Sequence, residues 1–144
     1  MPGNPITIRS LGPEDAFVLD RVQPGLFDTA PDPARVWAFL ATRVNELVVA
    51  LDQGQVVGLA YGITQLSPDR PTAFQLGNIR VHPDYRRQGI ARRMMTEMRD
   101  RALDRGCAHF SVTVEDDNTA ARALFKTSDG QDTPGLTRVD WPDL

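Results

Sequence analysis

The run Arg86-Arg87-Gln88-Gly89-Ile90-Ala91 has the residue types and spacing to bind an anionic group. It opens an amphipathic stretch, and the first amide N–H groups of a helix have no partner inside the helix and lie at the positive end of its dipole. Gly89 removes the Cβ that would hold a ligand away from the backbone. Arg86 and Arg87 add guanidinium groups, whose shape matches phosphate oxygens. A pyrophosphate or another phosphate is therefore the first ligand that the sequence predicts.

The same turn has two other interpretations. It could be a plain strand-to-helix connection with exposed arginines. It could also be a mononucleotide-binding loop, which is disfavoured because the run has neither a Walker-type lysine nor the full glycine set of a dinucleotide site. The apolar strand before the turn and the amphipathic helix after it favour phosphate capture.

The elements on either side of the turn are well marked. Thr72–Val81 is typical of a strand, and Gly77 within it predicts a bulge or the close approach of a ligand. Residues 89–105 predict a helix, and Gly106 ends it. The apolar stripe of that helix contains Ile90, Met94, Met98 and Ala102.

The remaining pattern predicts an α/β fold in which the long helix joins two parallel strands. Asp52-Gln53-Gly54-Gln55 is turn chemistry and predicts a hairpin between the strands on either side. The other predicted strands are Ile6–Arg9, Leu47–Leu51, Val56–Thr64, Ala108–Glu115 and Leu136–Trp141. The other predicted helices begin at Pro13 or cover Ala34–Arg43 and Asn118–Lys126.

Composition limits the class of protein. A chain of 144 residues is expected to form one domain over residues 1–144. The net charge of −3 argues against non-specific binding to nucleic acid. No apolar run approaches a membrane span and the N-terminus lacks a signal-peptide pattern, so no membrane partner is expected. The single cysteine, Cys107, excludes an internal disulfide and fits a reducing cytoplasm.

Two motifs resemble the GNAT superfamily of acetyl-CoA-dependent N-acyltransferases. Residues 78–91, Asn-Ile-Arg-Val-His-Pro-Asp-Tyr-Arg-Arg-Gln-Gly-Ile-Ala, are similar to the family's central Arg/Gln-x-x-Gly-x-Gly/Ala motif, which binds the coenzyme A pyrophosphate. Asn118-x-x-Ala121-x-x-Leu124-Phe125 is similar to the family's following helix. The resemblance covers nearly the whole chain. It implies a mixed, mostly antiparallel sheet with a splayed parallel strand pair, flanked by helices.

The resemblance also implies which residues bind the acyl donor, acetyl-CoA. The backbone groups of Ile79 and Val81 would bind the pantetheine arm as if it were an added strand. The implied coenzyme contacts also include Arg86, Arg87, Gln88, Gly89, Ile90, Ala91, Asn118 and Phe125. No metal is implied.

Two positions depart from the family pattern where protons move. Phe125 stands where the family often has a tyrosine as general acid, and phenylalanine has no proton to give. Asn78 stands where the family often has an acidic base, and it can only orient a water or the substrate. Glu115 and Asp117 are substitute bases by proximity alone, and their plainer interpretation is solvated loop acids. The expected catalytic residues are therefore Asn78 and Glu115.

The resemblance implies an N-acetyltransferase that moves an acetyl group to a primary amine of a small molecule or peptide by direct attack. The layout also resembles the aminoglycoside 3-N-acetyltransferase-like group, through residues 55–58, residues 86–91 and Val139-Asp140-Trp141. A non-catalytic acyl-CoA sensor is the alternative, because it would keep the turn and lack the acid and the base. A phosphate-binding module unrelated to coenzyme A is a third interpretation. A homodimer that pairs or exchanges the last strand stays open.

Other reactive side chains receive plainer interpretations. His82 is expected in the turn, facing solvent, with a structural or neutral role, and His109 is expected at the surface. Cys107 is expected to be buried. The aromatic residues in the region that covers the acceptor site in this fold are Phe27, Trp37 and Phe39, and core packing is the expectation for at least Trp37 or Phe39.

Overall fold

The secondary structure follows the predicted order up to the third helix. The structure is a computed structural model and describes residues 5–143. Its strands are β1 (Thr7–Ser10), β2 (Asn45–Asp52), β3 (Gln55–Gln65), β4 (Ala73–Val81) and β5 (His109–Val112). Its α-helices are α1 (Pro33–Ala41), α2 (Ile90–Asp104) and α3 (Thr119–Thr127). Two 3-10 helices cover Pro13–Asp20 and Pro83–Tyr85.

The chain divides into two compact units. The first ends at Thr113 and contains all five strands, α1, α2 and both 3-10 helices. The second begins at Val114 and contains α3. The expectation of one domain over residues 1–144 stays a prediction.

The five strands form one sheet in the order β1-β2-β3-β4-β5. All neighbours are antiparallel except β4 and β5, which are parallel and are joined through α2. This arrangement confirms the predicted mixed, mostly antiparallel sheet. The predicted hairpin is also confirmed, since Gln53 and Gly54 both have positive φ (50° and 82°) between the paired residues Asp52 and Gln55. Positive φ at both central residues is the geometry of the tight turns that join twisted strands.

The parallel pair β4–β5 is short and leaves the end of β4 open. Pairing begins at Ala73 with His109 and ends at Leu76 with Val112. Gly77 is the extra residue of a bulge, because Leu76 lies opposite Gly62 and Asn78 lies opposite Tyr61, the two neighbouring residues of β3. Beyond the bulge, β4 continues to Val81 beside β3 alone among the described strands. The predicted bulge and splayed pair are both present.

Two layers of helix cover the two faces of the sheet. On one face, Met94, Met95 and Met98 of α2 are buried, as their helical spacing predicted. Gly58 lies under this helix, since a Cβ there would stand 3.0 Å from the Met94 Cε. On the other face, the first 3-10 helix and α1 contribute to an apolar cluster with the inner strands. That cluster includes Val18, Leu19, Leu40, Val49, Val56 and Leu59.

A buried carboxylate fixes the C-terminal end of α2 to the sheet. Glu46 of β2 accepts hydrogen bonds from Ser10 (2.6 Å) and from the Arg105 guanidinium (2.7 Å). Arg105 also donates to the carbonyl oxygens of Arg43 and Asn45. A buried charge is tolerated only when it is paired and hydrogen-bonded, and Glu46 meets both conditions. These contacts fix the end of α2 to β2. Because the helix is rigid, they also limit where its start, next to the turn, can lie.

One sequence-based prediction of secondary structure is wrong, and another is correct only at its start. Residues 136–141 form no strand, and the side chains of Leu136, Val139 and Trp141 are exposed. Alternating apolar residues stabilise a strand only when a neighbouring strand pairs with it. The helix that begins at Pro13 is a 3-10 helix that ends at Asp20, because the following chain turns to pair with β3 at Val56.

Candidate functional site

The turn before α2 has an unusual backbone that exposes its amides. Gly89 precedes the helix with φ of 75° and Arg87 has φ of 64°, both in the left-handed region. A Cβ added at Gly89 would meet nothing within 4 Å, so it would project into open space. The side chains of Arg86, Arg87 and Gln88 are exposed, whereas Ile90 is buried and fixes the first turn of the helix. The turn therefore presents backbone N–H groups and two guanidinium groups to solvent.

The N-terminus of α2 lacks the side-chain cap that the other two α-helices have. Asp32 accepts from the Arg35 N–H at the start of α1, and Asn118 accepts from the Ala121 N–H at the start of α3. No side chain accepts a hydrogen bond at the start of α2, where Gly89 occupies the capping position. Helix N-termini need partners for their first N–H groups. The sequence leaves this role at α2 to solvent or to an anionic ligand.

Tyr85 fixes the turn to the β2–β3 hairpin. Its hydroxyl donates to Oδ2 of Asp52 at 2.6 Å, and its ring packs edge-on against His82, with the centroids 5.9 Å apart. The pKa of Tyr85 is raised from 10.0, first by the hydrogen bond to Asp52, then by burial and by the charges of Asp52 and Asp84. The protonated hydroxyl is the form that makes this contact.

Replacement of Tyr85 by phenylalanine is expected to lower the free energy of unfolding at pH 7 by about 1 kcal/mol, because one hydrogen bond to a charged acceptor is lost. The pKa of Tyr85 is raised in the folded state, so the contact contributes fully below pH 10.0 and fades as the pH rises through the raised pKa. Urea unfolding of both proteins at pH 7 and above pH 10 measures the difference.

The matched control for that variant is Tyr61→Phe, whose ring packs edge-on against Phe39 at 5.6 Å. An equal loss of stability in the two variants, or a Tyr85→Phe loss that does not shrink with rising pH, would show that the Asp52 contact has no specific role.

The open end of β4 exposes backbone groups at alternate residues. The His82 N–H donates to the Val57 carbonyl at 2.8 Å, so His82 belongs to a hydrogen-bonded pair with β3. Because hydrogen-bonded and non-bonded pairs alternate in an antiparallel ladder, Ile79 and Val81 direct their N–H and C=O groups away from β3. These groups face the edge that β5 leaves uncovered. Ile79 and Val81, which were predicted to bind the pantetheine arm, thus have backbone N–H and C=O groups that do not pair with β3.

Asn78 contacts one of those edge groups. Its Oδ1 accepts a hydrogen bond from the Ile79 N–H at 2.9 Å. The Asn78 carboxamide therefore occupies the Ile79 N–H, which the carbonyl of a ligand would otherwise accept from. No described contact brings Asn78 to another polar side chain, so its predicted catalytic role stays a prediction.

His82 does not face solvent, which corrects the sequence-based expectation. The residue is 6% exposed, and its Nε2 lies 2.7 Å from the Pro24 carbonyl oxygen. Its Nδ1 accepts from the Asp84 N–H at 3.1 Å. A carbonyl oxygen can only accept, so Nε2 carries the proton and the ring is the neutral tautomer in this arrangement. The structural role was anticipated, but the burial and the partner 58 residues away in sequence were not.

Arg80 makes a second contact to the loop at residues 21–28, which contains Pro24. Its Nη1 donates to the Leu26 carbonyl at 3.3 Å, and its guanidinium carbon lies 5.5 Å from the centre of the Phe27 ring. Arg80 lies opposite Leu59, which packs in the cluster with α1 and the first 3-10 helix. Arg80 therefore lies on the face of the sheet opposite α2. Sequence reasoning did not identify this residue, although its place between Ile79 and Val81 was a usable signal.

The three aromatic residues that were expected near an acceptor differ in how deeply they are buried. Phe39 and Phe27 pack against the apolar cluster, and Phe39 also contacts Tyr61. Trp37 is 64% exposed on α1, so core packing holds for Phe39 and not for Trp37. The expectations for Cys107, which is buried, and His109, which is exposed, are confirmed.

The remaining predicted site residues lie in the second unit. Asn118 caps α3 through a hydrogen bond from the Ala121 N–H at 3.1 Å, as predicted from its position. Phe125 is half-buried on α3, and its carbonyl accepts from the Gly130 N–H at 3.0 Å. Glu115 is exposed. Their contacts to a coenzyme and the role of Glu115 as a base stay predictions.

Residues 5–143 lack two other kinds of structural feature. No helix there combines the length and apolar character needed to cross a bilayer. Within the same residues, no three His, Cys, Asp or Glu side chains group together as a metal site requires.

Comparison with known proteins supplies independent findings. Residues 16–129 match the family model described as the acetyltransferase (GNAT) family. N-alpha-acetyltransferase RimI of Mycobacterium tuberculosis (strain ATCC 25618 / H37Rv) is 36% identical over 136 residues, which are 93% of this chain and 83% of that protein. The ribosomal protein bS18-alanine N-acetyltransferase of Escherichia coli (strain K12) is 40% identical over 68 residues, or 47% of this chain and 44% of that protein.

A solved structure shows the same fold. The aminoglycoside N-acetyltransferase AAC(6')-Iy in complex with CoA matches with a TM-score of 0.81 and 17% identity, and the match covers 97% of each chain. At that level of identity the likeness concerns the fold alone.

Proposed function

This chain belongs to the acetyltransferase (GNAT) family and is an acyltransferase, and from that premise we propose that it transfers the acetyl group of acetyl-CoA to the α-amino group at the N-terminus of a protein or peptide. Each part of this proposal, the donor, the acceptor and the movement of protons, rests on different residues.

The proposal for the donor rests on one observation, the open edge of β4 that continues into an uncapped turn. The pyrophosphate of acetyl-CoA would accept hydrogen bonds from the amides of residues 89–91, with the charges of Arg86 and Arg87 beside it. The pantetheine arm would lie along the edge groups of Ile79 and Val81. Asn118 and Phe125 would add contacts from α3, as the family resemblance implies.

The charge on the loop side of β4 supports a peptide acceptor over a polycationic one. The three successive side chains of this face, beyond the bulge, are Asn78, Arg80 and His82, and none is an acid. A fixed guanidinium repels an acceptor that carries several ammonium groups, so an aminoglycoside is disfavoured. The names of the two relatives, an N-alpha-acetyltransferase and an alanine N-acetyltransferase, agree with an α-amine.

The reaction is a direct attack of the amine on the thioester carbonyl. Holding the two reactants in line supplies much of the rate without a covalent enzyme intermediate. The Ile79 N–H is suited to polarise the carbonyl once the Asn78 carboxamide moves aside, because both lie at the open edge. Asn78 and Glu115 are our candidates for orienting the amine or accepting its proton, and Phe125 would line the coenzyme without donating one.

A panel of acceptors tests the proposal. The purified protein is incubated with acetyl-CoA and three acceptors: a peptide with a free N-terminal alanine, the same peptide with a blocked N-terminus and one lysine, and an aminoglycoside. Mass spectrometry is expected to find one added acetyl group on the first peptide only. Acetylation of the aminoglycoside or the lysine alone would replace the proposed acceptor class.

The panel also addresses the alternative of a non-catalytic acyl-CoA sensor. A sensor would bind coenzyme A in a calorimeter and acetylate none of the three acceptors. Equal affinity for ATP and coenzyme A in the same titration would instead support a general phosphate-binding module.

We propose that the reaction takes place in the cytoplasm, because the lone Cys107 is a buried, free thiol.

A further inference from the structure

We propose that His82 is a positioning residue that couples occupancy of the coenzyme turn to the order of the loop at residues 21–28, which would border the acceptor. This inference rests on the proposed function, because it assigns the turn to coenzyme A and the loop side of β4 to the acceptor.

The His82 ring bridges two segments that are far apart in sequence. On one side, Nδ1 accepts from the Asp84 N–H, which lies at the start of the 3-10 helix that leads into the coenzyme turn. On the other side, Nε2 donates to the Pro24 carbonyl at 2.7 Å. The ring is buried, so neither contact is replaced at low cost by water. One imidazole thus joins the turn and the loop.

The loop is shaped to receive the ring. Gly25 has φ of 94°, a conformation that side chains rarely adopt, and a Cβ there would stand 3.1 Å from the His82 Nε2. The Leu26 carbonyl, two residues after that of Pro24, is bound by Arg80 of β4. Arg80 and His82, which directly follows β4, therefore bind two alternate carbonyls of the loop.

The position of the loop makes it the border of the acceptor. Ile79 and Val81 lie opposite Ala60 and Gly58, and a Cβ on Gly58 would meet Met94, so this face of the sheet is covered by α2. Because α2 covers the first face, the amine would approach a thioester at the open edge of β4 from the other face. On that face, the loop lies against Arg80 and His82.

The coupling follows from shared geometry. A bound pyrophosphate would order the turn and with it the Asp84 N–H, which selects the ring orientation in which Nε2 meets Pro24. The loop would then be held in place when the donor is bound and would be looser when it is absent. The Asp84 carboxylate, which lies on the turn side, is 4.0 Å from Nδ1. We expect an acceptor wall that is more rigid with the coenzyme bound than without it.

Two variants break the contact of the ring with the loop and keep its contact with the turn. In His82→Asn, the shorter carboxamide can still accept from the Asp84 N–H two residues on, as asparagine does in turns, but it cannot reach the Pro24 carbonyl. Gly25→Ala leaves His82 unchanged and displaces the loop from the ring. His109→Asn is the matched control, since His109 is exposed on β5.

Hydrogen exchange of the Gln23 and Leu26 amides, measured with and without coenzyme A, reports the coupling. Both amides are hydrogen-bonded, to the carbonyls of Val56 and Gln23 respectively. In the wild type and in His109→Asn, coenzyme A is expected to slow their exchange by about fivefold or more. In His82→Asn and Gly25→Ala, the coenzyme is expected to bind without slowing it.

Each other outcome has a distinct meaning. A merely structural role would speed exchange in both states and keep the ratio, so an unchanged ratio in both variants would overturn the coupling while coenzyme binding stands. If the wild type binds no coenzyme A, the proposed function fails, and this inference fails with it. If one variant does not fold, the ratio in the other still decides.

Discussion

Replacement of Gly89 by aspartate is expected to abolish measurable binding of coenzyme A, with a loss of affinity of roughly 10²–10³-fold. The substitution places a carboxylate where a Cβ meets only open space at the uncapped start of α2. Two unit charges of like sign about 4 Å apart near a protein surface repel by about 4 kcal/mol. The new side chain would also cap the helix amides and compete for the same donors as the pyrophosphate. Isothermal calorimetry with coenzyme A measures the effect.

Gly89→Asn is the matched control for that experiment. It has the same shape without the charge, and asparagine tolerates the left-handed conformation that Gly89 adopts at φ of 75°. We expect a loss of about tenfold or less from the neutral side chain, since only one hydrogen bond and some bulk are involved. Unchanged affinity in Gly89→Asp, or equal losses in both variants, would contradict the electrostatic assignment of this turn.

Replacement of Phe125 by tyrosine is expected to raise kcat by about tenfold or more, because general acid catalysis contributes roughly 10²–10⁴-fold where it operates. The family resemblance places an acid for the leaving thiolate at this position, and phenylalanine cannot serve. Phe125 is half-buried, so a hydroxyl at the end of its ring need not be buried with it. The steady-state rate with the alanine peptide at saturating acetyl-CoA measures the gain.

Phe125→Leu controls for changes in packing, and it is expected to leave kcat no higher than in the wild type. The gain in Phe125→Tyr should fade above about pH 10, where a tyrosine hydroxyl loses its proton. A tyrosine variant with an unchanged kcat would mean that the thiolate leaves without an acid or that residue 125 does not approach the sulfur.

The parts of the fold that sequence could predict are those set by local chemistry. Residues 89–105 were predicted as a helix, and α2 covers Ile90–Asp104. The prediction was possible because the apolar stripe and the glycines at the two ends are local signals, which act over one or two turns. Gly77 marked the bulge in β4 for the same reason, since the lack of a side chain is a local property. The donor turn belongs to this class, because its glycine and arginines are neighbours in sequence.

The parts that sequence could not predict depend on distant partners. His82 lies in a turn, which favours exposure, yet the Pro24 carbonyl and Gly25 bury it from the other side of the chain. Leu136–Trp141 alternates like a strand, but alternation does not supply the neighbouring strand that it needs. The orientation of the Asn78 carboxamide toward Ile79 depends on the end of the β4–β5 pairing, which no local pattern marks.

The same distinction explains why the donor site is better defined than the acceptor site. Arg86–Ala91 form one continuous segment, and we propose that its backbone amides bind the pyrophosphate. The proposed acceptor border combines Arg80 and His82 with a loop more than 50 residues earlier, so only the folded chain brings these residues together.

A structure of the protein with bound acetyl-CoA tests the central claim most directly. In that structure we expect pyrophosphate oxygens within hydrogen-bond distance of the amides of residues 89–91, and pantetheine amides paired with the edge groups of Ile79 and Val81. We also expect the Asn78 carboxamide to release the Ile79 N–H to the thioester carbonyl. A coenzyme bound away from this turn, with the Asn78 contact intact, would contradict it.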